Sequence, residues 1–502
     1  MKSLVVGLVL AVTPAPAPVD GYLADALAAT GLPGVSVVVT HGDRVVHATG
    51  AGHDSAGRPV TADTPMRVAS VSKSFTAAGV LTLVEDGRLS LDAPVRRWLP
   101  TVPDGVTVRH LLNQTSGLAD STVNIGELES ARTLAEYADR FEATLAAPPG
   151  TRWSYCNANY DLAARLAEVV SGQPFDEFMA SAVFAPLGMH DTSVGGAAAD
   201  GYNSLFGVWF SRPELDGGPA VNGSGGVVTT AADMGRWLVA QNGHGPFPAS
   251  LPRTMQEPSA VDDYGMGWAP DGELLVHSGN LWTYNAVQAI DPATGYGYAV
   301  MTNGAGLYDD TRDILDGLVA LTRGESPAVP GGGRQTFEWV LAGVGLVALA
   351  LGALGVARAR RWTVKRLAKH PRKSREEPDK NAESPTLSTH LDPHPFPGAT
   401  RHASLPGGTD NSRASRGSVD NRWGCGQRGW WVWTCLRLVP SLLPVLVLAC
   451  YPQVVSFISA GRTVLWAQLF YFALPLTVVV AVCALAGFAV FVARVWRLRS
   501  AW

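Results

Sequence analysis

The sequence predicts an α+β fold, an antiparallel sheet flanked by helices with a mainly helical insertion, followed by transmembrane helices. Three observations carry this expectation. Stretches of period-two alternation stand near both ends of the first 325 residues, at 35–49 and 274–301. Between them lies a long Gly- and Pro-punctuated stretch with helical spacing of its apolar residues. Beyond residue 335 the chain turns apolar and basic: residues 1–335 carry 19 Lys and Arg against 35 Asp and Glu, whereas 336–502 carry 20 against 8. The acidic first part argues against a nucleic-acid partner, and the second suits a membrane with a basic inner side.

Taken in order, residues 1–18 hold one lysine, an apolar run from Leu4 to Val12 and then Thr-Pro-Ala-Pro, which reads as a signal peptide or N-terminal anchor. Residues 20–325 form the main globular domain. Its strands are expected at Val35–Thr40, Arg44–Thr49, Leu274–His277, Tyr284–Ile290 and Tyr296–Met301, with a closing helix over 309–323. Pairing strands from both ends in one sheet, with helices laid on it, is the economical way to bury these faces. A Pro/Gly spacer covers 326–338. The uncharged run 339–357 is long enough to span a bilayer, and ten Lys and Arg between 358 and 380 place its far end in the cytoplasm. Residues 358–435 read as a basic, disordered linker. Two further spans, 438–460 and 465–493, separated by Arg462 and followed by Arg494, Arg497 and Arg499, make a hairpin with both ends inside. The cell membrane is therefore the expected location, with the globular domain extracytoplasmic and the linker and C-terminus cytoplasmic.

The chemistry centres on Ser70-Val71-Ser72-Lys73. Apolar residues recur at Phe75, Ala78, Leu81 and Val84, which predicts a helix that Gly87 stops. Ser70 then stands at the helix start with Lys73 one turn later on the same face. A hydroxyl beside an amine, in the positive end of the helix field, suits a nucleophilic serine. Lysine usage sharpens the point, because residues 1–335 contain 17 arginines but only Lys2 and Lys73. A surface cation is served by either residue, whereas an amine that passes a proton cannot be a guanidinium. The competing interpretation is a capping serine with an exposed lysine.

Two later clusters stand beside it. Tyr155-Cys156-Asn157 lies in a loop ahead of a helix expected over 162–170, where Tyr155 can serve as acid or base and Asn157 can hold a substrate amide. An ordinary loop, with the tyrosine packed and the asparagine capping, fits as well. His277-Ser278-Gly279 lies on the edge of a strand. Gly279 would let a substrate backbone approach, and the N–H of Asn280 would join that of Ser70 as an oxyanion hole; a structural histidine is the alternative. Other chemistries find no footing: there is no H-E-x-x-H, paired C-x-x-C, phosphate-binding loop or G-x-S-x-G, so neither a metal nor a cofactor is expected. Cys156 is the only cysteine before Cys425, which rules out a disulfide within the domain.

With Ser70-x-x-Lys73, Tyr155-x-Asn157 and His277-x-Gly279 in this order, the sequence resembles the serine beta-lactamase and penicillin-binding-protein-like hydrolases. That group includes class C beta-lactamases, D-alanyl-D-alanine carboxypeptidases, esterases and D-amino-acid peptidases. Leu89-Ser-Leu-Asp92, Leu111-Leu-Asn-Gln-Thr-Ser-Gly117 and the stretch from Gly225 to Trp237 agree too, so the resemblance covers about 20–325. It implies a covalent acyl-enzyme on Ser70, proton transfers shared by Lys73 and Tyr155, Asn157 on the substrate amide, and His277 orienting Tyr155 or the substrate. Where relatives often carry lysine this chain has His277, which weakens any grip on a substrate carboxylate. The expectation is an exported, membrane-anchored serine hydrolase that cleaves an amide or ester. Its partners would be a small-molecule or peptide-like substrate and membrane lipid through three helices. The alternative is a low-turnover penicillin-binding or sensing protein that signals through its spans.

Overall fold

The computed structural model describes residues 17–215, 219, 221–369, 425–458 and 464–501. The globular domain is built from α1 (Ala17–Thr30), β1 (Gly34–His41), β2 (Arg44–Gly52), α2 (Ser72–Glu85), α3 (Asn157–Ser171), α4 (Ala231–Gln241), β3 (Ala269–Asp271), β4 (Leu274–Leu281), β5 (Tyr284–Ile290), β6 (Tyr296–Thr302) and α5 (Asp310–Thr322). Strands β1 to β6 form one sheet in the order β2-β1-β6-β5-β4-β3, every neighbour antiparallel. Strands from the two ends of the domain thus meet at β1 and β6.

Both faces of this sheet are buried, and the alternation of residues divides them. Val35, Val37 and Val39 of β1, with Val287, Ala289, Tyr298 and Val300, pack under α1 and α5 against Leu23, Ala26, Ile314 and Leu318. Val38, Ala286, Ala299 and Met301 face the other way, into the larger core shared with α2, α3 and α4. Phe75 of α2, fully buried, lies 4.2 Å from the Trp237 ring of α4 and 5.9 Å from that of Phe184. Burying a side chain of this size contributes about 1.5–3 kcal/mol.

Some boundaries differ from expectation. α2 is buried on every side from Ser72 to Leu81, because the sheet covers one flank and the helical insertion the other, so its apolar spacing marks no single inner face. α3 begins at Asn157, five residues before the apolar run that signals it, since its first turn is polar. β4 continues past His277 to Leu281, paired residue for residue with β5. The helix α1 carries no strong apolar periodicity and had no counterpart in the sequence reading. Apart from its last two residues, the expected signal peptide lies outside the described residues.

By its internal contacts the described chain divides into two units, one up to residue 351 together with 444–486, the other 352–443 with 487–502. In the C-terminal region α6 (Gly333–Ala357, 25 residues) and α7 (Leu474–Arg499, 26 residues) are long and apolar enough to cross a membrane. Among the described residues a third crossing exists only if Gly429–Leu436 and Val439–Ala449, bent by 49°, act as one broken span. The single helix expected over 438–460 is instead split into Val439–Ala449 and Tyr451–Ile458, with Pro444 inside the first and Pro452 at the start of the second. The linker is ordered at both ends, as Ala359–Leu367 and Cys425–Leu436, where Trp430 Nε1 donates to the Arg366 carbonyl at 3.1 Å. Residues 370–424 of the linker lie outside the described residues.

Candidate active site

Ser70 lies in a single 3₁₀ turn, Ala69–Val71, that runs into α2. Ala69 holds φ at +49°, a left-handed conformation that costs a non-glycine residue about 1–3 kcal/mol. What pins it there is β4. A Cβ on Gly279 would come within 2.2 Å of the Val68 carbonyl oxygen and 2.9 Å of the Ser70 nitrogen, so only glycine lets the strand lie against this turn.

Lys73, the second residue of α2 and one turn beyond Ser70, is fully buried, and its Nζ meets three oxygens: Ser70 Oγ at 3.0 Å, Asn157 Oδ1 at 2.8 Å and the Ser224 carbonyl at 2.9 Å. Its Nζ also lies 4.8 Å from the centroid of the Tyr155 ring and 5.8 Å from that of Tyr160. Asn157 reaches it because α3 starts at that residue, with its side chain open to the cleft.

The Tyr155 loop is seated by Gln114, itself at φ +62°. The Gln114 carbonyl accepts the Ser154 N–H at 2.9 Å, and its Oε1 accepts the Cys156 N–H at 3.1 Å and Asn159 Nδ2 at 2.6 Å. Ser116 Oγ then donates to Asn159 Oδ1 at 2.5 Å. The Asn-Gln-Thr-Ser turn noted in the sequence therefore acts as the floor under Tyr155 and Asn157. Burial pushes the Cys156 thiol far above its ordinary value, so it is an inert filler.

His277 is held through both of its ring nitrogens. Its Nδ1 lies 2.8 Å from the Ser278 carbonyl, which can only accept, so Nδ1 carries the proton and Nε2 accepts from the Tyr264 hydroxyl at 3.2 Å. Burial and the nearby Lys73 cation push its pKa down to about 3. His277 thus touches Tyr264; Tyr264 leads to Trp153 at 6.0 Å between rings, and Trp153 to Tyr155 at 6.5 Å. Gly279 shares the cleft face of β4 with His277, whereas the side chain of Asn280 falls on the opposite face and donates to Asn285 Oδ1 at 2.6 Å.

The structure therefore gathers Ser70, Lys73, Tyr155, Asn157 and Gly279 around one cleft, with His277 behind them. Three participants lack a signal of their own in the sequence: the Ser224 carbonyl, Tyr264, and Gln288, which ties Trp237 to Ser74 by bonds of 2.9 Å on either side. Among the described residues, no three His, Cys, Asp or Glu side chains group as a metal site requires.

A helix-backed antiparallel sheet with a Ser-x-x-Lys pair at the start of a buried helix defines the class of beta-lactamase-fold serine hydrolases. The Beta-lactamase family model matches residues 19–321, and the chain belongs to that family. It is 30% identical over 283 residues to the esterase EstB of Burkholderia gladioli, spanning 46% of this chain and 70% of that one. It is 35% identical over 155 residues to penicillin-binding protein 4* of Bacillus subtilis, where the match spans 30% of this chain and only 34% of that one. Among solved structures it is similar to the octameric penicillin-binding protein homologue from Pyrococcus abyssi, with TM-score 0.54 and 26% identity over 62% of this chain and 78% of that one. It is also similar to the D-amino acid amidase from Ochrobactrum anthropi SV3, with TM-score 0.52 and 25% identity over 61% and 98%.

Proposed function

We propose that the chain is a membrane-anchored serine hydrolase, its globular domain outside the cytoplasm, that cleaves an ester or amide through an acyl-enzyme on Ser70. The observation that carries this is the set of oxygens around Lys73. Asn157 Oδ1 and the Ser224 carbonyl can only accept, so a neutral amine spends its two N–H bonds on them and points its lone pair at Ser70 Oγ, 3.0 Å away. As Oγ bonds to the substrate carbonyl carbon, its proton passes to Lys73 Nζ. The Ser70 N–H, with that of Asn280, receives the oxyanion. Tyr155 gives its proton to the departing alcohol or amine and is reprotonated by Lys73, and water then releases the acid and restores Ser70.

His277 narrows the substrate. It is uncharged at neutral pH and both its nitrogens are engaged, so it presents no cation to a carboxylate. Esters and amides whose leaving group is uncharged fit better than peptides ending in a free carboxylate. The activities for which the similar esterase and D-amino acid amidase are named lie within this range.

A fluorophosphonate or fluorescent penicillin should label the wild-type protein, and Ser70→Ala should abolish labelling without unfolding it. Undiminished labelling of the variant refutes Ser70 as the nucleophile. A chromogenic ester should be turned over steadily, and adding a carboxylate to its leaving group should lower kcat/KM. A single burst of product without steady release would make the protein a low-turnover acylating receptor instead.

A further inference from the structure

Asn157 is not the only residue of α3 that serves Lys73. Asp161 follows it by four positions, on the same helix face. Its Oδ1 accepts the Ser224 N–H at 2.9 Å, and the carbonyl of that same residue accepts Lys73 Nζ at 2.9 Å. The turn between them is tightly held. Thr76 Oγ1 donates to the Gly223 carbonyl at 2.7 Å, and a Cβ on Gly223 would fall 2.2 Å from the Tyr160 carbonyl oxygen of α3. Asp161 is buried, with the Tyr137 hydroxyl, the Cys156 thiol and Lys73 close to it and Asp120 acting on the first two. Burial pushes its carboxyl up, opposed by Ser224, Lys73 and Tyr137. The groups around Lys73 itself are the Tyr155 and Tyr160 rings and the neutral His277, so none of these supplies a fixed negative charge.

Resting on Ser70 and Lys73 as nucleophile and base, we propose that Asp161 is a positioning residue for that pair, a buried carboxylate that aims the Ser224 carbonyl at Lys73 and offsets its charge once it has taken the serine proton. The two tasks are separable. An amide of the same size keeps an acceptor for Ser224 but no countercharge, and loss of a unit charge at this remove slows a charge-forming step by roughly tenfold.

The test uses the full chain in detergent and a fluorophosphonate probe, with the labelling rate followed against pH and thermal unfolding alongside. Asp161→Asn should lower the plateau rate roughly tenfold, move the acid limb of the profile to lower pH, and leave the unfolding midpoint close to wild type. Tyr137→Phe removes one donor to the same carboxylate, and should lower the rate by a smaller factor in the same direction. A purely structural aspartate predicts a wild-type rate and profile in every variant that folds, and that outcome overturns the proposal. If Asp161→Asn fails to fold, Tyr137→Phe decides: a wild-type profile there is equally fatal. Labelling that survives Ser70→Ala refutes the underlying assignment of Ser70. Labelling that is lost in Ser70→Ala but unchanged in Asp161→Asn refutes this inference alone.

Discussion

Lys73 is the residue on which the chemistry turns, and it separates charge from proton transfer cleanly. Lys73→Arg keeps a cation beside Ser70, Asn157 and Ser224 but cannot give up a proton. If Lys73 is the base, labelling of Ser70 should slow by on the order of 10²-fold or more, with reversible substrate binding changed much less. An arginine variant within a few-fold of wild type would reduce Lys73 to an electrostatic role. Ser70 and Lys73 were legible from the sequence because a scarce residue type stood at a meaningful spacing. The Ser224 carbonyl was not, since any residue supplies a carbonyl and only the folded turn aims it. His277 was legible, but its bonded partner Tyr264 was not, because it lies thirteen positions earlier in a loop with no periodicity.

At the scale of elements, the sequence showed the strands and the two long apolar helices α6 and α7 well, but neither the break within 438–460 nor how α6 leaves the domain. The expected spacer over 326–338 gives way at Gly333 to helix, and the first turn of α6 is docked rather than free. Arg334 is almost fully buried there. It donates to the Thr30 carbonyl at 2.6 Å and Ser204 Oγ at 2.5 Å, pairs with Glu338 at 3.2 Å and Asp310 at 3.5 Å, and lies 4.3 Å over the Trp209 ring. A single arginine before an apolar run looks like an ordinary flank until the fold brings two carboxylates to it. The arrangement has a pH signature. Burial, with Asp313 and Asp309 nearby, pushes Asp310 up to about 7 against the pull of Arg334. Its ordinary value is 3.8, so between these limits the folded state binds more protons than the unfolded one, and stability falls as pH rises. This contribution is fully present below the unfolded value and gone above about 7. Asp310→Asn should therefore flatten the dependence of the unfolding midpoint across this window, and should raise the midpoint relative to wild type on its alkaline side. A variant with the same slope as wild type would show that Asp310 does not titrate in the fold.

At the scale of the whole molecule, two kinds of evidence bear on which side of the membrane each part occupies. The first is charge: ten Lys and Arg follow α6 between 358 and 380, and Arg494, Arg497 and Arg499 close α7, both patterns of a cytoplasmic flank. The second comes from packing within the first unit and does not depend on charge. The segment that leads into α7 rests on the globular domain, where Arg212 lies 3.7 Å over the Tyr471 ring, the Tyr471 hydroxyl donates to the Pro213 carbonyl at 3.0 Å, and Trp282 stacks on Phe472 at 5.4 Å. The start of α6 is held to the same domain through Arg334. If α6 and α7 cross a membrane, these contacts start both of them on the side that carries Ser70. A reporter active only outside the cytoplasm should work when fused near residue 325 and fail near residue 400, while a reporter that folds only in the cytoplasm should show the reverse. Removing Arg358, Arg360 and Arg361 together should leave this pattern unchanged if the remaining basic residues and the docked contacts suffice, since orientation follows the summed charge of a flank. Export of the residue-400 fusion in the otherwise unaltered chain would overturn the orientation.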